Sequence, residues 1–284
     1  MCKEATIKKL AVLSIASIIT LSACDSKKSD SQQSALYLNE ANSALSSGNY
    51  SKAYGILDSL KAKCPTDIDA LRKGLHIKTL IDEKVALKDI ASNDSLTNVS
   101  TQSYEGLKNK FVFVKTKDMV EGYYVDNVAN GRPLIERTGI EARIDESGNV
   151  YLTTLLYGKG IKHTKIEFSA QNQNISSEEV PFNGTSNYRF VNNGISNEMV
   201  TFKGAKCDTI GDFIVANRNA SMRLTFIGNG RSAYPLSKSE VNAIADTYLY
   251  AKAMADTKEA KGRKIYLENK LKIAREQIKK TATK

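Results

Sequence analysis

The chain has 284 residues, 41 Lys and Arg against 31 Asp and Glu, and a formal net charge of +10, with two His, four Cys, four Pro and no Trp. At 41% hydrophobic and 25% charged it has ordinary globular composition, which excludes wholesale disorder, a collagenous chain and a disulfide knot. After residue 23 no apolar run is long enough to cross a bilayer, which excludes a polytopic membrane protein and leaves peripheral contact. The length fits about two domains. In chain order, residues 1–23 read as a targeting segment. Lys3, Lys8 and Lys9 form a positive start, Leu10 to Leu21 an apolar stretch too short to span comfortably, and Ser22 and Ala23 the small residues before Cys24.

The motif Leu21-Ser22-Ala23-Cys24 resembles the lipobox of bacterial lipoproteins. The resemblance implies cleavage before Cys24 and a diacylglycerol on its thiol, usually with a further acyl group on the new amino terminus. Two or three acyl chains hold a protein on a bilayer stably, where one binds reversibly. The partner this implies is the membrane itself, through lipid on Cys24. Asp25 resembles an inner-membrane retention signal of enterobacteria, a rule many other Gram-negative lineages do not follow, so an outer-membrane location is expected. Residues 24–34 are polar and aperiodic and read as a flexible tether.

Residues 35–90 carry helical periodicity. Ala41, Ala44 and Leu45 recur, Ser46-Ser47-Gly48-Asn49 breaks the run, Ala53, Ile56, Leu57 and Leu60 resume it, and Pro65 stops it. Gly48-Asn49-Tyr50 at the turn, Ala53 at the crossing and Pro65 resemble one tetratricopeptide repeat, followed by a capping helix with Ile68, Leu71, Leu75, Leu80 and Val85. Since a solenoid needs at least three repeats, the hairpin is either a small partner-docking module or a packing element. Residues 91–103, rich in Ser, Thr and Asn, read as a linker.

Residues 104–235 read as a beta domain. Strands are expected at Phe111–Val114, Gly122–Val125, Ile140–Ile144, Val150–Tyr157, Lys165–Phe168, Tyr188–Val191, Glu198–Phe202 and Ser221–Ile227, with a hairpin turn at Asp145-Glu146-Ser147-Gly148-Asn149. Short strands without intervening helices favour an antiparallel sandwich or open barrel. Residues 210–217 read as a short helix or strand. Arg223-Leu224-Thr225-Phe226-Ile227-Gly228 followed by Leu236-Ser237 and Glu240 resembles the end of a poorly characterised beta-sandwich module of bacterial envelope and secreted proteins, which implies no known activity. The overall class is therefore α+β: a helical hairpin, a central beta domain and a long C-terminal helix.

A helix is expected over 236–284, opening near Pro235 with Ser237 and Glu240 as a capping box and interrupted at Gly262. From residue 261 it is strongly basic. Lys261, Arg263, Lys264, Lys270, Lys272, Arg275, Lys279, Lys280 and Lys284 stand against Glu268 and Glu276, a net +7. The first eight of these are candidates to contact an anionic lipid or an acidic protein partner; the alternative is a solvated helix. Export makes nucleic acid a poor partner in spite of the basic balance.

Chemistry is hard to find. GxSxG, HExxH, a P-loop, GxGxxG and zinc-ligand spacings are all missing, so no catalytic residue, metal or cofactor is expected. His76 and His163 read as structural, and Glu141, Asp145 and Glu146 as parts of a hairpin and its turn. Cys64 and Cys207 read as buried thiols or, less simply, a disulfide. Asp-Ser/Thr-apolar triplets at Ser59, Ser95 and Thr209 resemble an O-glycosylation sequon of some Gram-negative anaerobes, with Ser95 the one worth testing. The function expected is a non-catalytic, lipid-anchored envelope protein acting as a binding module. The alternatives are a scaffold component of an envelope complex and an envelope hydrolase.

Overall fold

The computed structural model describes residues 26–282, so Cys24 and the targeting segment lie outside the described residues. The chain is α+β. In order it forms α1 (Ser26–Ser46), α2 (Tyr50–Lys63), α3 (Ile68–Lys108), β1 (Phe111–Val114), β2 (Tyr123–Asp126), α4 (Asn127–Asn130), β3 (Gly139–Asp145), β4 (Val150–Tyr157), β5 (Lys165–Ala170), β6 (Gln173–Ser176), β7 (Asn187–Asn192), β8 (Ile195–Phe202), α5 (Ala205–Ala216), β9 (Met222–Ile227), β10 (Arg231–Leu236) and α6 (Lys238–Ala282). Residues 26–87 and 270–282 make one compact unit and Lys88–Asn269 the other. α3 and α6 each supply residues to both.

In the helical unit, α1 and α2 form the expected hairpin. Gly48 takes a left-handed φ of +74°, which glycine adopts without strain, and Asn49 caps α2 by accepting the Lys52 amide at 3.2 Å. Ala53 and Ala41 are fully buried, small side chains that let helix axes approach to about 8–10 Å, and Leu60 and Ile81 fill the core beside them. The expected tether is corrected here. α1 begins at Ser26, and Ser34, which that reading placed in a polar coil, is buried and hydrogen-bonded to Asp67, itself the residue whose carboxylate accepts the Ala70 amide at the start of α3. The Ser34 hydroxyl leads the causes that hold the Asp67 carboxyl below its ordinary range.

The other unit is built on two antiparallel sheets, one ordered β1-β2-β3-β4-β8-β7 and one ordered β10-β9-β5-β6. Alternating side chains from both meet in one core: Ile140, Ala142 and Ile144 from β3, Ile166 and Phe168 from β5, Leu224 and Phe226 from β9. α5 and the first turns of α6 add Ile210, Ile214, Val241 and Ile244. Gly211 on α5 is required by this packing, because a Cβ there would lie 2.2 Å from the Tyr248 ring. The β3–β4 hairpin turns as expected, with Asp145 Oδ1 accepting the amides of Ser147 and Asn149.

Three further expectations are corrected. Residues 91–103 are not a linker but part of the 41-residue α3. Their hydroxyls bond back onto their own helix, Thr97 to the Asn93 carbonyl and Ser103 to the Val99 carbonyl, while Asn93 and Asp94 reach α6. α6 runs through Gly262 without a break, since neighbouring side chains on the same stripe, Ala260 and Leu267, are buried and hold it. Pro235 belongs to β10, at the sheet edge where its missing N–H costs nothing, and the helix opens three residues later at Lys238. The capping box itself forms, Glu240 accepting the Ser237 amide at 2.8 Å and Ser237 Oγ the Glu240 amide at 3.3 Å.

Candidate functional site

The basic residues predicted on α6 are divided between the two units. Lys261, Arg263 and Lys264 belong to the beta-containing unit; Lys270, Lys272, Arg275, Lys279 and Lys280 belong to the helical one. Lys264 pairs with Asp94 at 2.9 Å, and Arg275 with Glu83 at 2.9 Å. His76 Nδ1 lies 2.9 Å from Thr281 Oγ1, so this end of α6 is tied to α3 by neutral and charged contacts alike. Lys261, Arg263, Lys272, Lys279 and Lys280 are exposed. Cys64 and Cys207 are buried in the cores of different units and are not partners. Burial, then the charge of Asp208, pushes the Cys207 thiol up to about 11, away from the reactive thiolate.

His163 and Glu198 form an arrangement that sequence reading missed. Glu198 on β8 accepts from His163 Nδ1 at 2.7 Å, and His163 Nε2 lies 3.1 Å from Thr154 Oγ1 on β4. A carboxylate, an imidazole and a hydroxyl in line are the parts of a nucleophilic triad. Here His163 and Thr154 are wholly buried and Glu198 is 1% exposed, and Asn187 adds a bond to the His163 carbonyl. The Phe226 ring of the other sheet stands edge-on to the imidazole at 5.1 Å. The buried group ties β4 and β8 of one sheet to the loop that leads into β5 of the other.

An open cleft of about 450 Å³ lies where β2, α4 and α6 meet. Asp246 on α6 is held by Lys110 at 2.7 Å and Arg218 at 3.1 Å, and Arg218 also donates to Asn242. Asp126 faces the same space, 5% exposed, capping α4 through the Val128 amide at 2.7 Å. Burial raises its carboxyl above the ordinary aspartate value, against the pull of the Val128 amide, and the charge of Asp246 adds to the rise. The hairpin carboxylates are elsewhere: Glu141 accepts from Leu134 and Arg143, Glu146 from Lys115 and Gly122.

The roomiest feature among the described cavities is a groove of about 690 Å³ between the C-terminal half of α3 and α6, inside the beta-containing unit. Asn93 donates to the Ala260 carbonyl at 3.0 Å, and Tyr104 stacks on Tyr250 at 5.4 Å, so the two helices run antiparallel. Asn93, Leu96, Ser100, Ser103 and Leu107 line one wall, Leu249, Ala253, Asp256 and Ala260 the other. Both sets follow the alternating three- and four-residue spacing of a helix–helix seam. Leu96 and Val99 are more than 60% exposed on the rim. The signal for this wall was present in the sequence as Leu96 and Val99, and the surrounding Ser, Thr and Asn concealed it.

None of the described residues forms a cluster of three or more His, Cys, Asp or Glu that would hold a metal, and no described helix is long and apolar enough to cross a membrane. Comparison with protein families, with curated proteins and with solved structures finds no match to the chain.

Proposed function

We propose that the protein is a lipid-anchored cell-envelope binding module, not an enzyme. The observation that carries the binding reading is the groove between α3 and α6: at about 690 Å³, with apolar walls and a charged rim, it has the size and lining of a recognition site. Its walls offer no buried acid–base or nucleophilic pair. Anchoring rests on Leu21-Ser22-Ala23-Cys24 behind the apolar stretch Leu10 to Leu21, and outer-membrane attachment is the expected form. Expressed in a bacterial host, the wild-type chain should sediment with membranes and Cys24→Ala should not. A Cys24→Ala chain that stays membrane-bound would overturn the anchoring reading.

A second reading, an envelope hydrolase, has one observation in its favour: Asp126, whose carboxyl burial raises above the ordinary aspartate value, shares an open cleft with the ion-paired Asp246. It requires turnover of ester or glycoside substrates that Asp126→Asn removes. Absence of any turnover leaves the binding module.

A further inference from the structure

We propose that the α3–α6 groove receives an amphipathic α-helix of a partner protein, one that carries acid, base, base and acid at i, i+4, i+7 and i+11 beside an aliphatic stripe. The proposal rests on the binding-module reading and specifies its partner.

The walls set the shape of the occupant. The lining runs from Asn93 to Leu107 on α3 and from Leu249 to Arg263 on α6. At 1.5 Å per residue each wall is about 21 Å long, roughly four helical turns. Leu96 and Val99 project from α3 at 62% and 61% exposure, followed by Ser103 and Gly106 in the same three-four-three rhythm. This row ends in small residues, which lets a helix backbone approach closely. From Ser95 to Tyr104 α3 has no charged residue, although it is a helix with an exposed face. Serine, threonine and asparagine are mediocre helix formers that expose little reason to stay helical in water. Their hydroxyls bond back to the helix, which suits a face covered by another helix.

The charges set its sequence. On α6 the rim carries Lys252, Asp256, Glu259 and Arg263, spaced four, three and four residues apart. This is the spacing at which one helix presents a row of charges to a neighbour in a bundle. The complementary row reads acid, base, base, acid, and it is the same in either direction, so it fixes the partner's charges without fixing its polarity. Lys252 and Asp256 pair with one another across one turn at 2.9 Å, but both are exposed and such a pair holds weakly. Asn93, 2% exposed at one end of the groove, donates to the Ala260 carbonyl and fixes α3 against α6 there, leaving the exposed Leu96 and Val99 and the charged row of α6 as the groups an occupant meets. An acyl chain would use the apolar wall and leave the four spaced charges without purpose, and for this reason the helix is preferred.

The test is fluorescence anisotropy with the full chain and two labelled synthetic helices. One carries Leu on its apolar stripe with Glu, Lys, Lys and Glu at the four positions; the control has the same Leu residues with Lys, Glu, Glu and Lys. The first should bind at least tenfold more tightly than the control at low salt, with the gap narrowing as salt rises. Leu96→Glu and Val99→Glu should abolish binding while leaving the melting temperature near wild type, because both sites are exposed. Equal binding of the two peptides, or none by a folded protein, overturns the proposal. So does uptake of a fluorescent long-chain fatty acid that Leu96→Glu prevents. The Cys24→Ala fractionation is independent, so an anchored chain that ignores both peptides retains its anchor and loses this partner.

Discussion

Glu198 Oε2 accepts from both ends of one residue, the ring Nδ1 of His163 at 2.7 Å and its backbone amide at 2.8 Å. Burial of Glu198 acts to raise its pKa, yet the bonds from His163 and the Lys162 amide outweigh it and hold the carboxyl below the ordinary glutamate range. A carboxyl depressed in the folded state adds stability that is fully present above its unfolded value, about 4.3, and is lost as pH falls through the folded value. Glu198→Gln should therefore cost about 2–3 kcal/mol at neutral pH, as expected for a charged hydrogen bond lost from a buried site. Its stability should also fall less steeply than wild type below about pH 4.3. Urea melts across that range check this; parallel pH profiles would refute it.

Asp126 has the opposite sign. Its carboxyl is raised, burial first and the neighbouring Asp246 charge adding. The fold therefore favours the protonated form, and the stability this gives is lost as pH rises from the unfolded value, about 3.9, through the folded one. Asparagine keeps the cap on α4, because its side-chain oxygen also accepts the Val128 amide. Asp126→Asn should thus be more stable than wild type at neutral pH, with the gain disappearing in acid. Thermal melts at neutral pH and near pH 3 would show it, and a variant less stable at neutral pH would contradict it.

Two glycines should respond in opposite directions to alanine. A Cβ on Gly228 would stand 2.5 Å from the carbonyl oxygens of Ile161 and Lys162, both backbone atoms that cannot swing aside. Gly228→Ala should cost about 1–3 kcal/mol through forced backbone movement. A Cβ on Gly262 meets nothing within 4 Å, in mid-helix. Gly262→Ala should stabilise by about 0.5–1 kcal/mol. Melting temperatures of the two variants measured side by side decide the matter.

Ser237→Ala should cost about 1 kcal/mol, the usual loss for a helix cap. Glu240→Ala should cost more, since its carboxylate also accepts the Tyr234 hydroxyl at 2.8 Å and faces Arg137 at 3.8 Å. Burial, then the bond to Glu240, pushes the Tyr234 hydroxyl up to about 12. Glu240→Ala should accordingly move the alkaline titration of one tyrosine towards the ordinary value, read from the absorbance of tyrosinate. An unmoved titration would place the tyrosine's perturbation in burial alone.

The alternating strands were legible because one face of each is buried, so apolar residues recur at every second position, as in Ile140, Ala142 and Ile144. The hairpin turn at Gly48-Asn49 and the cap at Ser237 were legible because they are local: a few neighbouring residues satisfy one another. β6 and β10 were not, since Gln173–Ser176 is polar and Arg231–Leu236 contains a proline, and each is specified by the neighbouring strand it pairs with. The middle of α3 was misread for the same reason. Its residues are poor helix formers, and the helix is set by Asn93 and Asp94 reaching α6 about 170 residues away in sequence, a bond that no local window contains. The contact of His163 with Glu198 was equally out of reach, because neither residue belongs to a motif and only the pairing of β4 with β8 brings Glu198 to the His163 loop.

The start of α1 at Ser26 has a consequence for any lipid carried on Cys24. Even fully stretched, two residues reach only about 7 Å, where eleven would reach roughly 35 Å. So short a lead would hold the first turn of α1 itself against the bilayer surface, with no slack between lipid and helix.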